Sequence, residues 1–167
     1  ESLRNGLENY DKRKGWRGPL GNFNKKNWKK KAKKFRIEKS IGWKLARVEK
    51  IEDNKVHIIN ENDSAGKILK SGVSWTNKKI QEIFTVGDII YVKEKKNSFY
   101  ELKQLPKVNG SIVVLDPYSG RVYAISGGFS FIKSEFNRAT QALRQPGSAF
   151  KPFIYALALE NNFSPSS

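Results

Sequence analysis

Ser148 and Lys151 are the two residues of this chain whose types and spacing suit acyl transfer. A serine hydroxyl is a poor nucleophile near neutral pH and needs a base beside it. Residues three apart on a helix share a face, so a helix opening at Ser148 brings a lysine amine to the hydroxyl. A lysine held in a partly desolvated site loses basicity and can take the serine proton. Gly147 lets the backbone turn sharply into that helix. The first N–H groups of a helix lack backbone partners, so the Ser148 N–H is a donor for the oxyanion that develops during attack on a carbonyl. The motif also has a plainer reading, an N-cap serine followed by a solvated lysine. A bare Ser-x-x-Lys does not choose between the two.

The residues upstream supply the context. The run Ser111-Ile112-Val113-Val114-Leu115 meets the turn Asp116-Pro117-Tyr118-Ser119-Gly120, and a second run, Arg121-Val122-Tyr123-Ala124-Ile125-Ser126, ends at Gly127-Gly128. Then come Phe136-Asn137-Arg138-Ala139 and Arg144-Gln145-Pro146-Gly147-Ser148-Ala149-Phe150-Lys151-Pro152. This order closely resembles the start of the transpeptidase domain of class A penicillin-binding proteins. Ser2-Leu3-Arg4-Asn5-Gly6-Leu7, Tyr10-Asp11-Lys12-Arg13 and Trp16-Arg17-Gly18-Pro19 resemble the segment that follows the glycosyltransferase domain in that family. The resemblance runs from end to end and is weakest between about residues 22 and 105.

The resemblance implies D-Ala-D-Ala transpeptidation, with Ser148 as nucleophile, Lys151 as general base and the Ser148 N–H as half of the oxyanion hole. It implies peptidoglycan stem peptides and lipid-linked precursors as substrates, β-lactam antibiotics as ligands, and no cofactor or metal. It admits a regulatory lipoprotein as a further partner. It places the parent protein at the periplasmic face of the bacterial inner membrane, with a transmembrane anchor and a glycosyltransferase domain upstream of Glu1. The family's Ser-x-Asn and Lys-Thr-Gly motifs do not follow Ser148 here. The chain is therefore expected to be a catalytically incomplete piece of a larger synthase.

Bulk composition narrows the classes further. No cysteine means no disulfide and no thiolate metal site, and a single histidine, His57, speaks against a Ser-His-Asp triad. His57 lies in the strand-like run Lys55-Val56-His57-Ile58-Ile59 and reads as structural. The formal charge is +16, and lysines crowd residues 25–34. Basic runs can mark contact with nucleic acid or an anionic surface. Lysine is also spread through the rest of the chain, which favours a compositional bias and no nucleic-acid partner.

These motifs need elements to position them. The expected fold class is α+β, mainly β with some α. Residues 1–39 read as a basic, partly helical linker, with 24–36 poor in apolar surface and either packed on something or mobile. Residues 40–106 read as an OB-like barrel that folds independently. Its strands are expected at about 42–51, 55–60, 65–69, 88–95 and 98–105, with a short helix or turn at 78–84. Ile41, Leu45, Val56, Ile58, Val86, Ile90 and Val92 are its expected core. Trp43, Trp75, Phe84, Tyr91, Phe99 and Tyr100 are either a stacking platform or packing residues, and packing is favoured. Residues 107–167 read as the truncated N-terminal part of a transpeptidase domain: a hairpin, then a helix from Ser148 to about Asn161 that is apolar on nearly every face. A second reading of the whole chain is an accessory module whose barrel contacts a regulatory protein, glycan or, less favoured, nucleic acid.

Overall fold

The computed structural model describes residues 1–166. Helix α1 (Ser2–Lys12) leads through a loop to the two-residue strand β1 (Gly21–Asn22) and the short helix α2 (Trp28–Ala32). Five strands follow: β2 (Trp43–Glu52), β3 (Lys55–Asn60), β4 (Ala65–Leu69), β5 (Asp88–Glu94) and β6 (Phe99–Lys103). They pair in the order β5-β2-β3-β4-β6, and β6 pairs back onto β5, which closes the barrel. Every barrel pairing is antiparallel except β4 with β6. This is the Greek-key closure of an OB fold, and β1 adds to it along β5.

Alternation along each strand decides what enters the barrel. Val56, Ile58 and Asn60 of β3 are at most 2% exposed, as are Val48, Ile68, Ile90, Val92 and Leu102. Asn60 is the one polar side chain among these, and its amide donates to the Tyr100 hydroxyl at 3.2 Å. Its Oδ1 accepts from the N–H groups of Asn62 and Ser64, so the same side chain also fixes the β3–β4 turn. Gly66 is required by close approach, since a Cβ there would lie 2.2 Å from the Tyr100 ring. A 3-10 segment (Lys70–Thr76) and helix α3 (Ile80–Ile83) plug one end of the barrel with Val73, Ile80, Ile83 and Phe84.

The structure corrects one expectation and decides another. Val86 is 50% exposed. It precedes Gly87, whose φ of +96° turns the chain before β5 begins at Asp88, so Val86 falls outside the strand alternation. The lysine-rich segment, expected either to pack or to stay mobile, packs. Trp28 and Ala32 of α2 are 3% and 1% exposed. They cover the outward face of β2 and β5 together with Ile41, Trp43, Leu45, Ile89 and Tyr91, forming a second core. A large apolar side chain contributes about 1.5–3 kcal/mol when fully buried. A fragment of residues 16–108 should therefore melt cooperatively with a β-type circular dichroism spectrum, well above a fragment of residues 40–105. Equal melting temperatures would show that α2 adds nothing to the barrel.

Helix α1 is tied down by charge. Asp11 is 2% exposed. It accepts from Arg17 Nη1 at 2.9 Å, from Gln104 Nε2 at 2.9 Å and from the Lys107 N–H at 3.1 Å. Lys103 Nζ reaches Glu8 at 2.8 Å in the same buried joint. Burying charges is tolerated when they are paired and hydrogen-bonded, and this joint meets that condition between α1, the 16–17 loop and the strand leaving the barrel.

The last part holds a hairpin of β7 (Ile112–Leu115) and β8 (Val122–Ser126), then helix α4 (Lys151–Glu160). Asp116 caps the hairpin turn by accepting from the N–H groups of Tyr118 and Ser119, and Gly120 takes a φ of +71°.

Candidate active site

Ser148 sits in a 3-10 turn (Gly147–Phe150) that runs directly into α4. Gly147 has a φ of +52°, a backbone state that side chains disfavour, which explains the glycine before the serine. Pro146 accepts from the Ala149 N–H at 3.1 Å, and the Lys151 N–H bonds to the Ser148 carbonyl. Pro152 falls in the first turn of α4, where its missing N–H costs no hydrogen bond. Ser148 and Lys151 are thus one helical turn apart on a continuous helical segment, as their spacing predicts. Both are exposed, and among the described residues neither side chain makes a hydrogen bond or ion pair. The Ser148 N–H has no backbone partner among the described residues, as expected at a helix start.

The surroundings are apolar and open. Phe150, Phe153, Ile154, Tyr155, Leu157 and Leu159 are all more than half exposed. The hairpin strands are open on both faces as well. An all-round apolar helix belongs in the centre of a larger domain, so this helix and hairpin present surfaces that further chain would cover.

The loop between hairpin and helix is closely built. A Cβ on Gly127 would lie 1.9 Å from Asn137 Oδ1, so only glycine admits Asn137 there. Asn137 in turn accepts from the Ala139 N–H at 3.0 Å and donates its own N–H to Gln141 Oε1 at 2.6 Å. Arg138 donates its backbone N–H to the Gly127 carbonyl at 3.1 Å and its guanidinium to the Phe136 carbonyl at 2.9 Å. The Phe-Asn-Arg-Ala run therefore forms a self-bonded loop packed on the end of β8.

Three residues that sequence reasoning did not single out attach this loop to the barrel. Phe129 is 3% exposed and its ring lies 5.4 Å from that of Trp43 in the second core. Arg4 Nε donates to the Phe129 carbonyl at 2.9 Å. Glu38 accepts from Ser130 Oγ at 2.6 Å and from the Ile132 N–H at 2.7 Å. The signal for Glu38 was its isolation, as the one acid among nine cations between residues 25 and 39.

Burial pushes the Glu38 carboxyl up, but the hydrogen bonds from Ser130 and Ile132 outweigh it and leave the group below its ordinary 4.5. A carboxylate depressed in the folded state adds stability above its unfolded value, and that stability is lost as pH falls through the folded value. The protection of the Ile132 amide, taken relative to its intrinsic exchange rate at each pH, should thus fall as the carboxylate is protonated, and Glu38→Gln should remove this pH dependence. Ile132 protection with the same acid response in the variant would show that Glu38 does not hold the loop.

The remaining sequence candidates resolve as packing. Trp43, Phe84, Tyr91 and Tyr100 are at most 7% exposed, and Trp75 packs edge-on to Trp16 at 6.0 Å. Phe99 alone stands out, at 39% exposed. His57 Nε2 lies 3.2 Å from Glu52 Oε1 on the barrel wall, far in sequence from the serine turn.

Residues 16–108 match the family described as penicillin-binding protein OB-like domain, and residues 110–167 match the penicillin binding protein transpeptidase domain. The chain is a class A penicillin-binding protein sequence. It is 41% identical over 169 residues to penicillin-binding protein 1A of Rickettsia felis, covering 99% of this chain and 21% of that protein. It is 32% identical over 183 residues to penicillin-binding protein 1A of Pseudomonas aeruginosa, covering all of this chain and 22% of that one. The crystal structure of penicillin-binding protein 1A from Haemophilus influenzae superposes with a TM-score of 0.77 at 32% identity, over 95% of this chain and 24% of that chain. The chain spans about a fifth of the length of the family members it matches. The mixed α and β fold with its OB-like barrel agrees with the fold class expected from sequence.

Proposed function

We propose that this chain is part of a peptidoglycan synthase that crosslinks stem peptides through an acyl-serine intermediate. The observation that carries this reading is the Ser148–Lys151 turn at the head of apolar α4. Ser148 Oγ attacks the carbonyl of the penultimate D-Ala and passes its proton to Lys151 Nζ. The Ser148 N–H supports the oxyanion as it forms. The intermediate collapses, the peptide C–N bond breaks, and the terminal D-Ala leaves with a proton from Lys151. An amine of a second stem peptide then attacks the acyl-serine, forms the crosslink and returns the proton to the serine. A β-lactam takes the donor's place and leaves Ser148 acylated.

By role, residues 1–39 join the barrel to upstream chain, 40–106 form the barrel, and 107–167 open the catalytic domain. In this reading an upstream glycosyltransferase domain polymerises lipid-linked precursors. A transmembrane helix upstream holds the protein at the periplasmic face of the inner membrane, and a regulatory lipoprotein is a further partner. The second reading, an accessory binding module, rests on the barrel, where four of the six candidate rings, Trp43, Phe84, Tyr91 and Tyr100, are buried and closed to base stacking.

Labelling the full-length protein with fluorescent penicillin, followed by proteolysis and mass mapping, tests the proposal. The adduct should lie on the peptide that carries Ser148. An adduct on any other residue, or none, would overturn it.

A further inference from the structure

The groove between α2 and the start of β2 holds two adjoining cavities, of about 400 Å³ and about 600 Å³, that share Arg36, Leu45 and Glu61. Six cations line it: Lys29, Lys30, Lys33, Arg36, Lys39 and Lys44. Glu61 is the one acid in the lining. Arg36 pairs with Glu61 at 3.4 Å, Lys44 with Glu94 at 2.6 Å, and Lys29 with Asp63. Lys30, Lys33 and Lys39 are exposed and have no ionic partner among the described residues. The floor of the larger cavity is apolar, made by Ile37, Trp43, Leu45 and Tyr91.

We propose that this groove docks an acidic peptide segment of a partner protein, in which carboxylates flank one apolar side chain. Three like charges held on one folded surface repel each other and favour an anionic occupant. Trp28 and Ala32 anchor the segment of Lys30 and Lys33 in the second core, and Ile41 anchors that of Lys39, so little backbone ordering is needed on binding. Of the floor residues Ile37 is the half-buried one, and it offers apolar contact beside the cations, so the ligand needs both characters.

The same surface is poorly suited to other polyanions. Base stacking needs open ring faces, whereas Trp43 is 7% and Tyr91 2% exposed. The Tyr91 hydroxyl is further locked by donating to the Phe35 carbonyl. A lipid headgroup layer is met by protruding cations with apolar side chains pointing outward, but here the site is concave and Trp28 points inward. A carboxylated glycan would likewise lack exposed rings to stack on.

The test titrates the 167-residue chain into a fluorescent peptide of Asp and Glu around a central Phe, read by anisotropy at low salt. Saturable binding that weakens with salt is expected. The triple variant Lys30→Glu, Lys33→Glu, Lys39→Glu should lose about tenfold or more in affinity, because like charges then face each other across the interface. Its thermal melt should match that of the parent chain, since all three side chains are exposed. The charge-matched variant Lys70→Glu, Lys78→Glu, Lys96→Glu, outside the groove, should bind nearly as well as the parent. Equal loss in both variants would overturn the proposal in favour of net charge alone. Tighter binding of single-stranded DNA, phosphatidylglycerol vesicles or carboxylated glycan fragments would overturn it in favour of that class, and so would no binding at all. The readout is independent of acylation, so its failure leaves the role of Ser148 untouched.

Discussion

Ser148→Ala in the full-length protein is expected to abolish covalent labelling by fluorescent penicillin. In the proposed mechanism the hydroxyl is the group that forms the acyl bond, and alanine offers no replacement. Lys151→Ala, which leaves the proposed nucleophile in place, is expected to slow acylation by about 10²–10⁴-fold, the usual worth of base assistance. The two variants separate the roles: one removes the adduct, the other delays it. The geometry behind this is the continuous run from the 3-10 turn at Gly147–Phe150 into α4, which fixes serine and lysine on successive turns whatever covers them. A Ser148→Ala protein that still labels would place the nucleophile elsewhere.

The 167-residue chain by itself should form no penicillin adduct at a useful rate. Ser148 and Lys151 are both present, but both stand exposed, and nothing in the described residues hydrogen-bonds to either side chain. The Ser148 N–H is a single oxyanion donor, and lacking the second costs about 10²–10³ in rate. No Lys-Thr-Gly run follows Ser148 to hold the β-lactam carboxylate, so attack also loses the positioning that makes it effectively unimolecular. Intact-mass spectrometry after incubation with excess penicillin reads the outcome. A stoichiometric adduct within minutes would mean that the serine turn is competent without its surrounding domain.

The parts that sequence made legible were those with local causes. The strands of the barrel show in the alternation of Val56, Ile58 and Asn60, and the serine turn shows in Gly147 and Pro152, each required by backbone geometry at its own position. What stayed hidden depends on pairs distant in sequence. Nothing near Trp28 announces that it will cover Trp43 and Leu45, because a tryptophan among lysines fits a solvated ridge equally well. Glu38 finds Ser130 and Ile132 across more than ninety positions. Val86 looked like core because it precedes a strand rich in Ile and Tyr, and only the turn at Gly87 takes it out of register. Asn137 is the intermediate case. Its neighbours mark it as part of a motif, but its use, filling the space that Gly127 leaves, appears only when the two are folded together.

The insertion of Phe129 beside Trp43 has a consequence for chimeras. A barrel transplanted between relatives by cutting where the chain leaves it would split a hydrophobic cluster across the seam, stranding a donor's tryptophan against a recipient's loop. Grafts that carry residues 127–134 along with the barrel keep the seam intact, and the compatible unit of exchange is thus set by side-chain interlock rather than by where the backbone happens to be thin.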